Sequence, residues 1–449
     1  MRTDIPRVSG GGAFFGHLLA LRHHPIALLE RVRAECGDVG ELRLLDRPLV
    51  LLSGAQAQEA FFRAKDDQLD PQPTSNEMMK PIFGDGVVYD LPAERRREMM
   101  RTPALRDENL RRSAGAIAEE TERMLATLGD EGEIDLLDFT TELTIYTSST
   151  CLIGRTFRDQ LTPEFARAYH DLEKGTDAIG FLNGRLDIPA FRLRDRARAR
   201  LVELISDIID ARQANGDRHR DLLQVLLSIE DQGVPRFTPD QVTGILVSTM
   251  FAGHHTSSAT SAWALVEMLR HPEHLARVTA ELDQIYAGGA DVSYQALREI
   301  PALENVLKET LRMHPPLILL PRTAMQELAV GDWLIERGKI VAVSPALSHR
   351  DPAHFRDPAR FDPDRYGPGR EEDRAQPWGW IPFGGGPHRC LGANFALMQL
   401  KAIFSIVLRR YEFELAAPPE TYRDDHSRMV VLPRQPCRVR YRRRAAPGH

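Results

Sequence analysis

A mainly α fold with a small β part is what this chain of 449 residues predicts, as one domain over 1–449. Apolar residues recur at three- and four-residue steps over 113–128, 196–212 and 273–286, the period of buried helix faces. A stretch from Gln241 to Val266 carries no Asp, Glu, Lys or Arg, so one long helix is largely buried. Strand-like patterns are confined to the neighbourhoods of 39–53, 317–345 and 410–441.

In chain order, DVGELRLLDRPLVLL reads as two short strands around Asp46 and Arg47. The segment PQPTSNEMMK at 71–80 reads as a loop. The arginines Arg192, Arg194, Arg196, Arg198 and Arg200 read as a solvated helix face, with a partner-binding surface as the other reading. Thr238, Pro239, Asp240 and Gln241 form a capping box with Pro at the first helical position, and the helix they open runs to about Arg270 before Pro272. At about 1.5 Å per residue it spans roughly 45 Å. Another helix begins near Pro301 and stops at His314, Pro315 and Pro316. Polar, glycine-rich breaks fall at 213–221, 287–292 and 366–377, and none has the character of an interdomain linker.

Composition narrows the chemistry. Apolar residues make up 42%, enough for a sizeable core, and a net charge of −6 leaves no basic footprint for nucleic acid. Cys36, Cys151, Cys390 and Cys437 are widely spaced and contain no C-x-x-C pair, so neither a disulfide framework nor a zinc-finger pattern is indicated. The apolar run AFFGHLLAL is short and closed by Arg22 and His23, so no membrane anchor is expected and the cytoplasm is the expected location.

The chemical centre is FGGGPHRCLG, Phe383 to Gly392. Its glycines let the backbone turn tightly and approach a large ligand, and His388 lies two residues before the thiol, within reach of an anionic group on that ligand. A helical pattern follows, so Cys390 sits near a helix N-terminus, which favours the thiolate. A thiolate held this way can ligate haem iron. A structural cysteine in a glycine turn is the plainer reading, and a phosphate cradle lacks the Gly-Lys-Ser/Thr it requires.

Phe383, Gly386, His388, Cys390 and Gly392 match F-x-x-G-x-[HR]-x-C-x-G, and here the chain resembles the cytochrome P-450 superfamily of haem-thiolate monooxygenases. The resemblance implies a long central helix over the haem with the Cys-ligand loop on the other side. It gives meaning to AGHHTSS, Ala252 to Ser258: a bulge where Gly253 admits dioxygen, Thr256 donates a hydrogen bond to the reacting oxygen and His255 carries protons from solvent. Taken alone, the same hydroxyl bonds back to its own helix and the histidines are core residues. It also implies that Glu309 and Arg312 of ETLR join Arg365 of FDPDRY in a buried structural triad behind the Cys loop.

His-Thr-Ser-Ser, FRDQL at 157–161, PALENVLKETLRMHPPLILL at 301–320 and DDHSRMVV at 424–431 are similar to the bacterial sterol 14-alpha-demethylases. That likeness implies haem b held by Cys390, with Arg97, Arg322 and His388 on its propionates and Phe383 and Gly386 in the ligand turn. It implies a substrate cavity lined by Asn76, Met78, Met79, Phe83, Tyr89, Phe251, Ala252, Leu317 and Met429, and sensitivity to azole-type inhibitors. It implies O2-dependent removal of a sterol methyl group in three oxidations, with electrons from NAD(P)H through ferredoxin and ferredoxin reductase. The chain departs from the pattern at 71–80, which has no aromatic where the family carries a Tyr, and at Pro321. Two other activities stay open: hydroxylation of a different steroid, terpenoid or fatty acid, and haem sensing or carriage without catalysis.

Overall fold

The computed structural model describes residues 2–91, 94, 107–175, 180, 183–215, 221–231 and 234–444. The chain packs as two compact units. The first comprises Met1–Asn76, Asn305–Cys390 and Asp424–Leu432, the second Glu77–Glu304, Leu391–Arg423 and Pro433–His449.

The first unit holds a five-stranded sheet in the order Val39–Leu44, Arg47–Leu52, Ile340–Val343, Leu320–Ala324, Leu69–Asp70. Ile340–Val343 runs parallel to Arg47–Leu52, pairing Val341 with Val50, and antiparallel to Leu320–Ala324. Val50, Leu52, Val341 and Val343 bury their side chains against Phe61, Phe62 and Ile335. Beta-branched residues suit a pleated, buried surface.

The same unit buries a charge cluster. Glu309, Arg312 and Arg365 have no exposure. Glu309 accepts from Arg312 Nε at 2.8 Å, Arg365 Nε at 3.0 Å, the Tyr366 hydroxyl at 2.8 Å and the Asp362 N–H at 2.8 Å. Arg312 spends its remaining donors on the carbonyls of His349, Pro358 and Arg360. The expected triad is present, and it is fully hydrogen-bonded, the condition under which buried charge is tolerated.

The second unit is helical: Asp107–Leu125, Leu136–Ser148, Pro163–Lys174, Pro189–Asn215, Pro239–Arg270, Pro272–Ile285 and Ala393–Arg410. An antiparallel sheet of Tyr411–Leu415, Arg438–Arg443 and Glu131–Asp135 completes it. The capping box is formed, with Thr238 and Gln241 exchanging side-chain and backbone bonds. Helix Pro239–Arg270 is buried without a break from Ser257 to Met268.

Polar residues inside this helix are explained by a neighbour. Thr140, Thr144 and Ser148, four residues apart on Leu136–Ser148, donate to the carbonyls of Ser258, His254 and Gly253 at 3.2, 3.4 and 3.0 Å. Gln399 fixes the last hydroxyl at 3.1 Å. A Cβ at Gly253 would stand 2.9 Å from both Ser148 Oγ and Leu152 Cδ1, so glycine there permits the close helix crossing. The bulge expected at Gly253 is not seen: the helix is continuous, because its carbonyls here gain donors without breaking the ladder.

Two further expectations are corrected. Residues 71–80 are not a loop but most of helix Gln72–Phe83. Asp70 caps it through the Gln72 N–H at 2.8 Å, and prolines at the start of a helix cost no hydrogen bond. The arginines of 192–200 do not share one solvated face, since two-residue steps distribute side chains around a helix. Arg194 is buried with its guanidinium 4.3 Å from the Phe191 ring, and Arg198 grips Asp240 at 2.7 and 3.0 Å.

Replacing Arg365 by Ala strands Glu309 as a buried charge and is expected to cost on the order of 3–5 kcal/mol. Arg370→Ala, which removes a part-exposed pair with Asp362 and Glu372, is expected to cost about 1 kcal/mol or less. Denaturant titration of both variants checks the contrast.

Candidate active site

The glycine turn of the first unit is built by backbone contact. Gly384 and Gly386 have φ of 65° and 63°, the left-handed region where a side chain is strained. A Cβ on Gly386 would lie 1.7 Å from the Phe62 carbonyl oxygen, so no other residue fits. Phe62 stacks on Trp378 at 5.1 Å, and Phe383 meets Trp380 edge-on at 6.1 Å. The Cys390 N–H donates to the Phe383 carbonyl at 2.8 Å, closing the turn around the thiol.

The buried triad reaches this turn through His349. Its Nδ1 lies 3.2 Å from the Arg312 carbonyl and its Nε2 accepts the Ile381 N–H at 2.9 Å, two residues before Phe383. Only neutral imidazole can do both. Burial, with Arg312 and Arg350 nearby, pushes His349 well below its ordinary pKa and keeps it neutral.

The cysteines differ in kind. Burial raises Cys151 and Cys437 to about 12 and raises Cys36, whereas Cys390 is exposed at the end of the turn. Helix Ala393–Arg410 starts three residues after it in the chain. Arg322 is 4% exposed, its NH1 donates to the Phe61 carbonyl at 2.9 Å, and burial pushes it down to about 10. Such a desolvated guanidinium gains from a carboxylate ligand. His388 bonds Asp66, which the sequence reading missed because 322 residues separate them. An exposed thiol on a glycine turn, with Arg322 and His388 in the same unit, is a donor set that fits a haem and its propionates. Leu317 and Met429 are half-buried in this unit, and Val431 N–H donates to the Pro316 carbonyl at 2.8 Å, drawing the Met429 segment alongside. Asn76 is half-buried at the unit's edge in sequence.

In the second unit, Phe83, Phe251 and His255 form a ring cluster, with centroids 5.7 and 4.4 Å apart. Ala252 is exposed and Thr256 half-exposed one turn on, so this helix face is open at the two residues expected to meet substrate and oxygen. The Thr256 hydroxyl bonds back to the Ala252 carbonyl at 3.4 Å, a long and weak bond that another acceptor displaces cheaply. His255 Nε2 stands 3.1 Å from Glu173, a carboxylate that motif reading did not find. The two histidines beside it outweigh burial and hold Glu173 well below the usual carboxylate range. Met78 is buried, 3.2 Å from where a Gly180 Cβ would stand, while Met79 is half-buried. Tyr89 is described only in its backbone, and Arg97 lies outside the described residues.

His349 gives a pH dependence with a definite sign. Its native pKa is lowered, so an unfolded chain takes up the proton first. Its contribution is complete above the unfolded value of about 6.5 and is lost as pH falls from there to the depressed native value. Melting temperatures from pH 7.5 to 5 are expected to fall more steeply for the wild type than for His349→Gln; equal slopes would remove His349 from this role. Gly386→Ala is expected to abolish the absorbance of thiolate-ligated haem in the purified protein.

The cytochrome P450 family model matches residues 6–441. A sterol 14alpha-demethylase of Mycolicibacterium vanbaalenii is 54% identical over 445 residues, covering 98% of each chain. An obtusifoliol 14-alpha demethylase of Sorghum bicolor is 36% identical over 453 residues, covering 99% of this chain and 91% of its own. A solved structure described as retinoic acid bound cyanobacterial CYP120A1 superposes with a TM-score of 0.85 at 21% identity, covering 99% of this chain and 100% of its own, which is a likeness of fold. With nearly its whole length matched, the chain belongs to the cytochrome P450 family.

Proposed function

We propose that this cytochrome P450 is a sterol 14-alpha-demethylase working in the cytoplasm, with residues 1–449 acting as one catalytic domain. The supporting observation is the 54% identity, over 98% of the chain, to a relative of that name. The open face of Ala252 and Thr256 beside the Phe83, Phe251 and His255 rings suits an apolar ligand. Among the described residues, no helix is long and apolar enough to cross a membrane.

Cys390 would hold the haem through its thiolate, and Arg322, His388 and Arg97 would bind the propionates. When bound, haem activates dioxygen, and thiolate ligation favours O–O cleavage. By the family likeness, Phe83, Met79, Tyr89, Phe251 and Ala252 of the second unit and Leu317 and Met429 of the first are the residues assigned to the sterol, with Asn76 and Met78 on helix Gln72–Phe83. Thr256 turns its hydroxyl from the Ala252 carbonyl toward the reacting oxygen. His255 moves protons toward Thr256, with the Phe251 ring packed edge-on against its imidazole and Glu173 nearby at 3.1 Å. Each of three steps consumes one O2 and two electrons; the methyl carbon becomes alcohol, then aldehyde, then formate, and a ring double bond remains. Electrons come from NAD(P)H through ferredoxin and ferredoxin reductase. Azole-type inhibitors compete for the same cavity.

A second reading rests on residues 71–80, which lack an aromatic: the same machinery hydroxylates another steroid, a terpenoid or a fatty acid. Reconstitution with ferredoxin and reductase on lanosterol-type substrates is expected to give the 14-demethylated sterol and formate in equal amounts. Binding without loss of the methyl group would sink the first reading, and a haem spin-shift screen of lipids would then locate the substrate. Thr256→Ala is expected to lower kcat by roughly 100-fold with haem content unchanged.

A further inference from the structure

Helices Pro163–Lys174 and Pro239–Arg270 bring together three side chains of a kind that metals bind. Glu173, His254 and His255 each offer a ligand atom, all within 4.8 Å of one another. Both Nε2 atoms converge on one oxygen, Glu173 Oε1: His254 is hydrogen-bonded to it, and His255 stands 3.1 Å away. The His255 contact lacks hydrogen-bond geometry, and its Nε2 is a buried atom without a hydrogen-bond partner among the described residues. His254 has no exposure. The rings lie 4.2 Å apart and tilted by 30°, walled by Tyr169 and Phe251.

A carboxylate oxygen has two lone pairs, and His254 takes one of those on Glu173 Oε1. With His255 Nε2 close to that oxygen but misaligned for a hydrogen bond, the three ligand atoms are grouped closely enough to converge on one ion. For zinc bonds of about 2.0–2.1 Å the edge of a tetrahedron is about 3.3 Å, close to the His255 separation, and the hydrogen bond from His254 opens to that length when a cation replaces its proton. Two imidazoles and a carboxylate are a set that zinc uses with its fourth position open. His170 supplies a route from solvent: its side chain is 58% exposed and its Nδ1 lies 3.6 Å from Glu173 Oε2.

We infer that Glu173, His254 and His255 form a binding site for a divalent transition metal of the zinc type, reached past His170. A cation there ties the two helices together and occupies His255 Nε2. Metal binding here does not rest on the proton role proposed for His255, so the two ideas fail separately.

The test uses the haem-loaded, tag-free protein and Zn2+ alone, with stoichiometry and affinity from equilibrium dialysis and ligand identity from zinc K-edge absorption. One zinc per chain is expected, with imidazole scattering and bonds of about 2.0–2.1 Å. Glu173→Gln is expected to weaken binding by about 100-fold or more, since even outer-shell changes cost 10–100-fold. Should that variant fail to fold, judged by its haem spectrum and melting, His255→Gln carries the same expectation. Wild-type spectra without imidazole scattering, or affinity unchanged in a folded variant, overturn the assignment.

Discussion

The Glu309 carboxylate is enclosed entirely by protein and answered by donors from Arg312, Arg365, Tyr366 and the backbone of Asp362. Arg312 comes from the same helix as Glu309, Pro301–Met313, and Arg365 and Tyr366 come from the short 3-10 turn Pro363–Tyr366, so the carboxylate ties that turn to the helix. Arg312 reaches the carbonyls of His349, Pro358 and Arg360, so the chain from 349 to 366 is shaped around one charge cluster. His349 passes that constraint to Ile381, and the glycine turn carries it to Cys390. The position of the thiol therefore depends on this charge cluster as well as on the apolar packing of Phe62, Trp378 and Ile381 beside the turn.

The second unit solves a different problem. Its long helix must be buried yet carry Gly, His, Thr and Ser at its centre, all poor residues for a buried helix. Hydroxyls at four-residue spacing on Leu136–Ser148 meet carbonyls of the long helix, and Gly253 removes the side chain that would hold the helices apart. Polar character and close approach come from one arrangement.

The sequence revealed what is local. The capping box, the limits of the helices Pro239–Arg270 and Pro301–Met313, the strand pair at 39–53 and the spacing of the Cys turn all follow from neighbouring residues, and each is present. Residues 71–80 misled because prolines and small polar residues favour both loops and helix starts, and only the Asp70 cap decides between them. Glu173 and Asp66 were invisible because their partners, His254, His255 and His388, lie far away in the chain. Gly253 was legible as unusual but not in its reason, since Ser148 and Leu152 had to be placed beside it first. The solvated arginine face failed on geometry, because Arg194 and Arg198, four residues apart, turn toward protein partners while Arg192 and Arg196 are exposed.

The ladder of hydroxyls also limits how the second unit can move. Sliding Leu136–Ser148 along its neighbour would take Ser148 off the Gly253 carbonyl and bring a residue with a Cβ into a gap that admits only hydrogen. These helices therefore travel together or not at all. Gln72–Phe83 differs in this respect, since Pro81 in its last turn lacks a backbone donor and leaves that helix's ladder incomplete.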